Sequence, residues 1–433
     1  MRLLLDIAYL ILAMAYIPIL IFQRVFRSKV RTGWAERFGH VPVRAGNKPC
    51  IWIHAVSLGE ANAAVSLVAE FRRRLPDHDI VISTTTDTGR AAAMKHFGEA
   101  NVFRYPLDFS WVVRRTLNRI RPRVVILMEL EVWPNFIDAA TARGIPVGIA
   151  NGRVTAEKSM RRFSIPLISA LARRMFKKLA FVAAQDETYA KRFVELGAPA
   201  DCVRVVGNLK YDTALIANRI DGDTALGAAM GIDVERPLVV AGSTGPDEEA
   251  LLIKAYGQLL QRHASLQLAI IPRKPERFDE VATIIESNGY ACVRRSRCPD
   301  GAATAVSTAR TIFLGDTMGE LRKFYSLATA VFVGRTLIPQ GGSDLMEVAG
   351  LAKPMCFGPH TENFADAAAQ LIDASAAFEL KGPVQLHAGL NNMLIQTDWA
   401  NGMGRNAREV VRRNQGATTR TVDFIMERMA AHT

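Results

Sequence analysis

Cysteine is scarce in this chain of 433 residues and ill-placed for either of its structural uses. The five, Cys50, Cys202, Cys292, Cys298 and Cys356, are an odd and scattered set, mostly in apolar, strand-like surroundings. No CxxC occurs and no Cys/His cluster has zinc spacing, so neither a disulfide framework nor a structural metal is expected, and a reducing compartment fits best. The standard phosphate signatures are missing too. Neither GxGxxG nor GxxxxGK[ST] is present, which argues against a dinucleotide site or a P-loop. There is no internal repeat, no low-complexity tract and no nucleic-acid recognition motif. Acidic side chains are outnumbered 42 to 54, giving a formal net charge of +12. That excess calls for an anionic partner: a phosphorylated substrate or an anionic membrane, with nucleic acid the least supported.

What is present is a folded α/β chain. Apolar content of 49% with 22% charged residues is globular, and the length implies two domains. From Cys50 to about Val206 short apolar runs (Ile80–Ser83, Val124–Met128, Val147–Ala150, Phe181–Ala184, Val203–Val206) alternate with helical stretches. A second series follows at Leu238–Ala241, Leu266–Ile271, Tyr290–Val293, Thr311–Leu314, Ala330–Val333 and Pro354–Phe357. Each is a βαβ succession, so two largely parallel sheets are expected, with a cleft between two domains. The expected division is an anchor at 1–30, a first domain at 31–210, a linker at 211–235, a second domain at 236–395 and helices at 396–433.

The stretch Cys50-Ile51-Trp52-Ile53-His54-Ala55-Val56-Ser57-Leu58-Gly59-Glu60 reads as a buried strand, a turn and a helix start. Ligands of α/β proteins bind at such carboxyl ends of strands. Ser57-x-x-Glu60 is a capping box, and that alone explains both residues; a catalytic carboxylate in the same place is the sharper reading, and the two are compatible. Met128-Glu129-Leu130-Glu131 places two further acids at a strand end, where solvated loop carboxylates are common.

Three later turns resemble the first: Gly242-Ser243-Thr244-Gly245, Gly315-Asp316-Thr317-Met318-Gly319-Glu320 and Gly341-Gly342-Ser343-Asp344-Leu345-Met346-Glu347. Glycines at a helix start leave N–H groups for a phosphate. Thr317-x-x-Glu320 and Asp344-x-x-Glu347 also read as simple caps. Three such turns in one domain favour a nucleotide. Pro272-Arg273-Lys274 ends another strand, where Arg273 can pair with phosphate or belong to a solvated charge run. Asp221-Gly222-Asp223 lies in the linker, away from any strand end, and is a poor metal motif.

Leu3 to Phe22 is the most apolar segment, with Asp6 its only charge, and about 20 residues match a bilayer span. Arg24, Arg27, Lys29 and Arg31 follow, which places the body on the cytoplasmic side of a single-pass anchor. A helix lying in the interface or buried against the body is the alternative. Arg153 to Lys178 interleaves basic side chains (Arg153, Lys158, Arg161, Arg162, Arg173, Arg174, Lys177, Lys178) with apolar ones and only one acid, Glu157. It suits an anionic membrane or lipid, or is an ordinary solvated face.

Taken in order, these motifs resemble those of the 3-deoxy-D-manno-octulosonic acid (Kdo) transferases of bacterial lipopolysaccharide synthesis. The resemblance spans nearly the whole chain. It includes the N-terminal segment, Trp52 to Glu60, Glu129 to Asn135, Asn151-Gly152-Arg153, Gly207 to Asp212, Pro272 to Arg277, Gly315 to Glu320 and Phe357-Gly358-Pro359-His360. It implies two Rossmann-like domains facing across a cleft, the GT-B glycosyltransferase architecture, on the cytoplasmic side of the inner membrane. It implies Kdo transfer from CMP-Kdo to the acylated, phosphorylated precursor of lipid A, with inversion and with neither a metal nor a cofactor required. Glu60 is then the general base. Ser57, Gly59, Glu129, Glu131 and Arg153 fall on the acceptor side. Ser243, Pro272, Arg273, Thr317, Met318, Gly319, Glu320, Gly342, Asp344 and Glu347 fall on the donor (CMP) side.

The chain departs from the family pattern at two places. Gly341-Gly342-Ser343-Asp344-Leu345-Met346-Glu347 stands where a glycine-glycine-histidine-asparagine-proline-leucine-glutamate turn is common, and Arg335-Thr336 replaces glycine-serine. An Arg335–Asp344 pair would compensate. The competing functional readings are a GT-B-fold nucleotide-sugar epimerase, which needs no anchor, and a membrane-tethered nucleotide-binding scaffold, in which Glu60 only caps its helix.

Overall fold

The computed structural model describes residues 2–26, 32–301 and 310–431, without the side chains of residues 2, 16–21, 23–26, 157, 158 and 167. The chain divides into two compact units, Met1–Thr213 with Gln415–Thr433, and Ala214–Asn414.

In the first unit β1 (Cys50–His54), β2 (Asp79–Thr84), β3 (Val102–Arg104), β4 (Val124–Met128), β5 (Val147–Gly152), β6 (Phe181–Ala184) and β7 (Val203–Val205) form one sheet in the order β3-β2-β1-β4-β5-β6-β7. All of its pairings are parallel. Every residue of β1 and β4 is buried, which is why both read as continuous apolar runs. Alternate side chains leave opposite faces. Cys50 and Trp52 join Phe103 and Phe136 in one core; Ile51 and Ile53 join Phe71 and Phe181 in the other. The strand order reverses between β1 and β4, and at such a switch point a crevice opens beyond the strand ends.

The second unit repeats the plan. Its strands β8 (Leu238–Thr244), β9 (Gln267–Pro272), β10 (Ala291–Arg294), β11 (Thr311–Leu314), β12 (Ala330–Val333), β13 (Met355–Phe357) and β14 (Phe378–Glu379) run in the order β10-β11-β9-β8-β12-β13-β14, again parallel. The switch point lies between β8 and β12. These strands approach closely at their ends. A Cβ at Gly334 would stand 2.6 Å from the Thr244 Cα, so only glycine fits there.

Three expectations change. Residues 211–235 are not a bare linker, since Asp223–Met230 is a helix of the second unit. The C-terminal helices do not stay together. Thr397–Asn414 belongs to the second unit, whereas Ala417–Ala430 returns to the first. There it buries Val422, Phe424 and Ile425 in the core of Phe71 and Phe181, at about 1.5–3 kcal/mol per side chain. Asp212 accepts from Gly416 N (2.7 Å) and Thr418 N, which fixes where that helix begins.

The third change concerns the N-terminus. Arg2–Phe26 is helical, yet among the described residues no helix is long and apolar enough to cross a membrane. The expected spanning anchor is therefore not supported. Two polar side chains of this helix, Asp6 and Tyr9, bond to the first unit's sheet-covering segments. Asp6 accepts from Ser110 N (2.8 Å), Ser110 Oγ (2.6 Å) and Asn135 Nδ2 (3.0 Å), and Tyr9 Oη donates to Asp108 (2.9 Å). The basic residues Arg27, Lys29 and Arg31 lie outside the described residues.

Candidate functional site

The site of the first unit is built on the ends of β1 and β4. Ser57 is the N-cap of the helix Leu58–Arg74 and its Oγ accepts from Glu60 N at 3.4 Å. The Glu60 carboxylate folds back. Oε2 accepts from Val56 N (2.9 Å) and Oε1 from Ser57 Oγ (3.0 Å). The capping box is thus real, but the returning contact falls one residue early. Gly59, in the first turn, is exposed. Burial, then the negative charge of Glu129 and more weakly that of Glu131, raise the Glu60 pKa to about 7 against the pull of the Val56 and Ser57 bonds. A carboxylate that titrates near neutrality is matched to general-base work. A cap needs no such shift.

Glu129 follows β4 in the left-handed region, φ 56°, with its N–H on Ala150 O at 2.9 Å. Asn151, in the neighbouring strand β5, is also left-handed at φ 55°. Non-glycine residues persist there only when the surroundings hold them, and such positions gather at functional sites. Glu131 is half-buried, accepts from Trp133 Nε1 at 3.3 Å, and has its pKa raised by burial. The structure thus brings Glu60, Glu129 and Glu131 into one electrostatic neighbourhood. Arg153 stands on β5's exit and donates from Nε to Tyr189 Oη (3.2 Å).

Several residues of this face were not among the expected site residues, although Asn151 and His54 lie in motifs that carry the resemblance. Asn151 is fully buried, and its Oδ1 accepts from Leu209 N at 3.1 Å. Asp108 accepts from Asn135 N (3.0 Å) and Phe136 N (2.7 Å) at the start of the helix Pro134–Thr141, and burial raises its pKa to about 7. His54 is buried, stacked on Tyr105 at 3.8 Å, with Nδ1 3.1 Å from Ser83 O. Burial lowers its pKa to about 3, so it is a neutral core imidazole and not a proton donor at neutral pH. The basic-apolar stretch is partly structural. Arg174 and Lys178 both bind Asp138 at 2.5 Å, and Phe163, Met175 and Phe176 are in the core. Arg161, Arg162, Arg173 and Lys177 remain exposed; the side chains of Glu157 and Lys158 lie outside the described residues.

In the second unit the expected donor-side residues surround the ends of β8, β9, β11 and β12. Ser243 is buried and left-handed at φ 55°, and its carbonyl accepts from Ser343 Oγ at 3.5 Å. Pro272 ends β9; Arg273 is exposed, with its N–H on Thr244 O. Met318 and Gly319 are exposed at the tip of their turn, Gly319 with φ 90°. Glu320 is not a free acid. It accepts from Arg295 Nε and Nη2 (both 2.8 Å), Thr317 Oγ1 (2.6 Å) and Lys323 Nζ (3.2 Å), and Arg295 chiefly holds its pKa at about 2. Gly342, φ 80°, donates to Arg335 O at 2.9 Å. Asp344 Oδ1 accepts from Met346 N (2.9 Å), and Glu347 from Arg322 Nε (2.9 Å). The anticipated Arg335–Asp344 pair does not form: the Arg335 guanidinium donates to Gln340 O (2.8 Å) and Gln340 Oε1 (3.3 Å). Among the described residues no group of three or more His, Cys, Asp or Glu side chains is placed to hold a metal ion.

The sequence profile of the family described as 3-Deoxy-D-manno-octulosonic-acid transferase (kdotransferase) matches residues 32–213. A 3-deoxy-D-manno-octulosonic acid transferase of Haemophilus influenzae is 32% identical over 409 residues, covering 92% of this chain and 91% of the relative. Its counterpart in Bordetella pertussis is 34% identical over 401 residues, with 90% of each chain covered. The chain belongs to the Kdo transferase family. It is accordingly a glycosyltransferase, which sets aside the epimerase and scaffold readings. Among solved structures, MurG of Acinetobacter baumannii superposes with a TM-score of 0.54 over 88% of this chain and 99% of its own, at 16% identity. That likeness concerns the fold alone: two parallel α/β units, as the strand orders show.

Proposed function

We propose that the enzyme moves Kdo from CMP-Kdo to a hydroxyl of the acylated, phosphorylated disaccharide precursor of lipid A, with inversion and without a required metal. The observation that carries this reading is Glu60. It is a carboxylate at a strand end, held by Val56 N and Ser57 Oγ, whose pKa is lifted to about 7 by burial and by Glu129. A sugar hydroxyl is a poor nucleophile at neutral pH. Glu60 takes its proton as that oxygen forms a bond to the anomeric carbon of Kdo; the bond from that carbon to the CMP phosphate oxygen breaks, and CMP leaves with the electron pair. One displacement inverts the centre. Glu129, Glu131, Ser57, Gly59 and Arg153 serve the acceptor. In the second unit Ser243, Pro272, Thr317, Met318, Gly319, Glu320, Gly342, Asp344 and Glu347 shape the CMP site, and the exposed guanidinium of Arg273 offsets the charge of the departing phosphate.

The acceptor places the reaction at the cytoplasmic face of the bacterial inner membrane. The exposed apolar side chains of the N-terminal helix, among them Leu3, Leu4, Leu10, Ile11 and Leu12, support contact with a lipid surface from one side. CMP release from CMP-Kdo, with and without the lipid A precursor, tests the reaction. Acceptor-dependent release that survives EDTA is expected; no release would sink the reading.

A further inference from the structure

The buried carboxylate of Glu248 lies outside the residues discussed so far. It opens the helix Glu248–Leu259, next to the end of β8, and is fully inaccessible to solvent. Four main-chain N–H groups converge on it. Oε2 accepts from Gly245 N (2.9 Å) and Arg335 N (2.6 Å); Oε1 accepts from Thr336 N (2.9 Å) and Leu337 N (3.0 Å). Three successive amides turned to one point are a nest, the arrangement that elsewhere binds an external anion. Here the anion belongs to the chain. The donor phosphate must therefore find its charge partners elsewhere.

What the carboxylate holds in place is the loop leaving β12. Arg335 sits left-handed, φ 62°, a conformation a non-glycine residue keeps only when its surroundings impose it. From that conformation its carbonyl accepts from Gly342 N at 2.9 Å, and its guanidinium reaches Gln340 O at 2.8 Å. Thr336 continues the brace: its Oγ1 donates to Val333 O (2.6 Å) and accepts from Gly358 N (2.8 Å). The turn Gly341-Gly342-Ser343-Asp344 is thus joined to the Glu248-held loop through Gly342 N, and is tied separately by Ser343 Oγ to Ser243 O and by Gly341 O to Asn363 N.

We infer that Glu248 is a positioning residue for the nucleotide donor: by filling the nest of Gly245, Arg335, Thr336 and Leu337 amides it fixes the turn that presents Gly342, Ser343 and Asp344. The inference rests on the donor-site reading given above. Glutamine in its place keeps the shape but has one acceptor oxygen, and its NH2 group faces amide donors.

The test uses the full chain as wild type, Glu248→Gln and Glu248→Asp, with CMP binding by calorimetry, transfer kinetics with CMP-Kdo, and circular dichroism for the fold. Glu248→Gln should raise the CMP dissociation constant and the donor KM about tenfold or more, since charge-assisted bonds are lost. kcat at saturating donor and the acceptor KM should change little, and Glu248→Asp should fall between. A folded Glu248→Gln that binds CMP as tightly as wild type overturns the inference. So does an equal loss in kcat and both KM values, or failure of both variants to fold, because either outcome assigns Glu248 to stability alone. If only Glu248→Gln fails to fold, the same split in Glu248→Asp decides. Wild type that binds no CMP overturns the donor reading itself, and is told apart from failure of the inference by that measurement.

Discussion

The two units share an architecture and use a glutamate in opposite ways. Each is a parallel seven-stranded sheet with a switch point, between β1 and β4 in one and between β8 and β12 in the other. In each, a glutamate in the first turn of the helix after the first of those strands bonds back to the main chain of the turn before it. Glu60 takes one main-chain N–H and one hydroxyl, and faces two other acids. Glu248 takes four main-chain N–H groups. Burial raises the pKa of both; the first is half-buried and can exchange its proton, whereas the second is sealed inside the fold. Position on the topology thus marks where a site lies, whereas solvent access and the neighbouring charges separate a carboxylate placed for chemistry from one placed for architecture.

Substitutions sharpen that contrast. The largest effect is expected for Glu60→Gln. Glutamine still completes the cap, so only the base is lost, and kcat should fall by about 10²–10⁴ with CMP binding unchanged. Arg277→Met attacks the architectural side. It leaves Glu249, fully buried beside Arg277 at 2.7 Å, without its charge partner, and should cost about 3–5 kcal/mol in denaturant unfolding of the second unit. Asp6→Ala removes the acceptor for Ser110 N at the start of the helix Ser110–Ile120 and should cost about 1 kcal/mol, with earlier proteolysis of the N-terminal helix. An undiminished midpoint for either of the last two would show that the ties are not holding their helices.

Much of the fold was legible. Strands buried on both faces, such as Val124–Met128 and Ala330–Val333, advertise themselves as apolar runs. Val102–Arg104 and Phe378–Glu379 did not, because they are short strands at or near a sheet edge, three and two residues long. The split of the C-terminal helices was hidden because it depends on Asp212 reaching a helix start 204 residues away. Of the site, Glu60 and Glu129 could be found from turn chemistry at strand ends. Glu248 could not, since Glu248-Glu249 after a glycine and a proline looks like any charged helix start. The N-terminal segment misled for a related reason. Its single charge, Asp6, is silent about whether water, lipid or a protein donor will satisfy it.

The proposed transfer depends most directly on the ionisation of Glu60, and the pH dependence of kcat/KM tests it. The base works as a carboxylate, so activity should rise with pH through an acid limb centred at about 7. Glu129→Gln removes a neighbouring negative charge that raises the Glu60 pKa, and so should move that limb to lower pH. A wild-type limb near the ordinary carboxylate range, or one that Glu129→Gln leaves in place, would contradict a base tuned by its neighbours at the β1–β4 switch point.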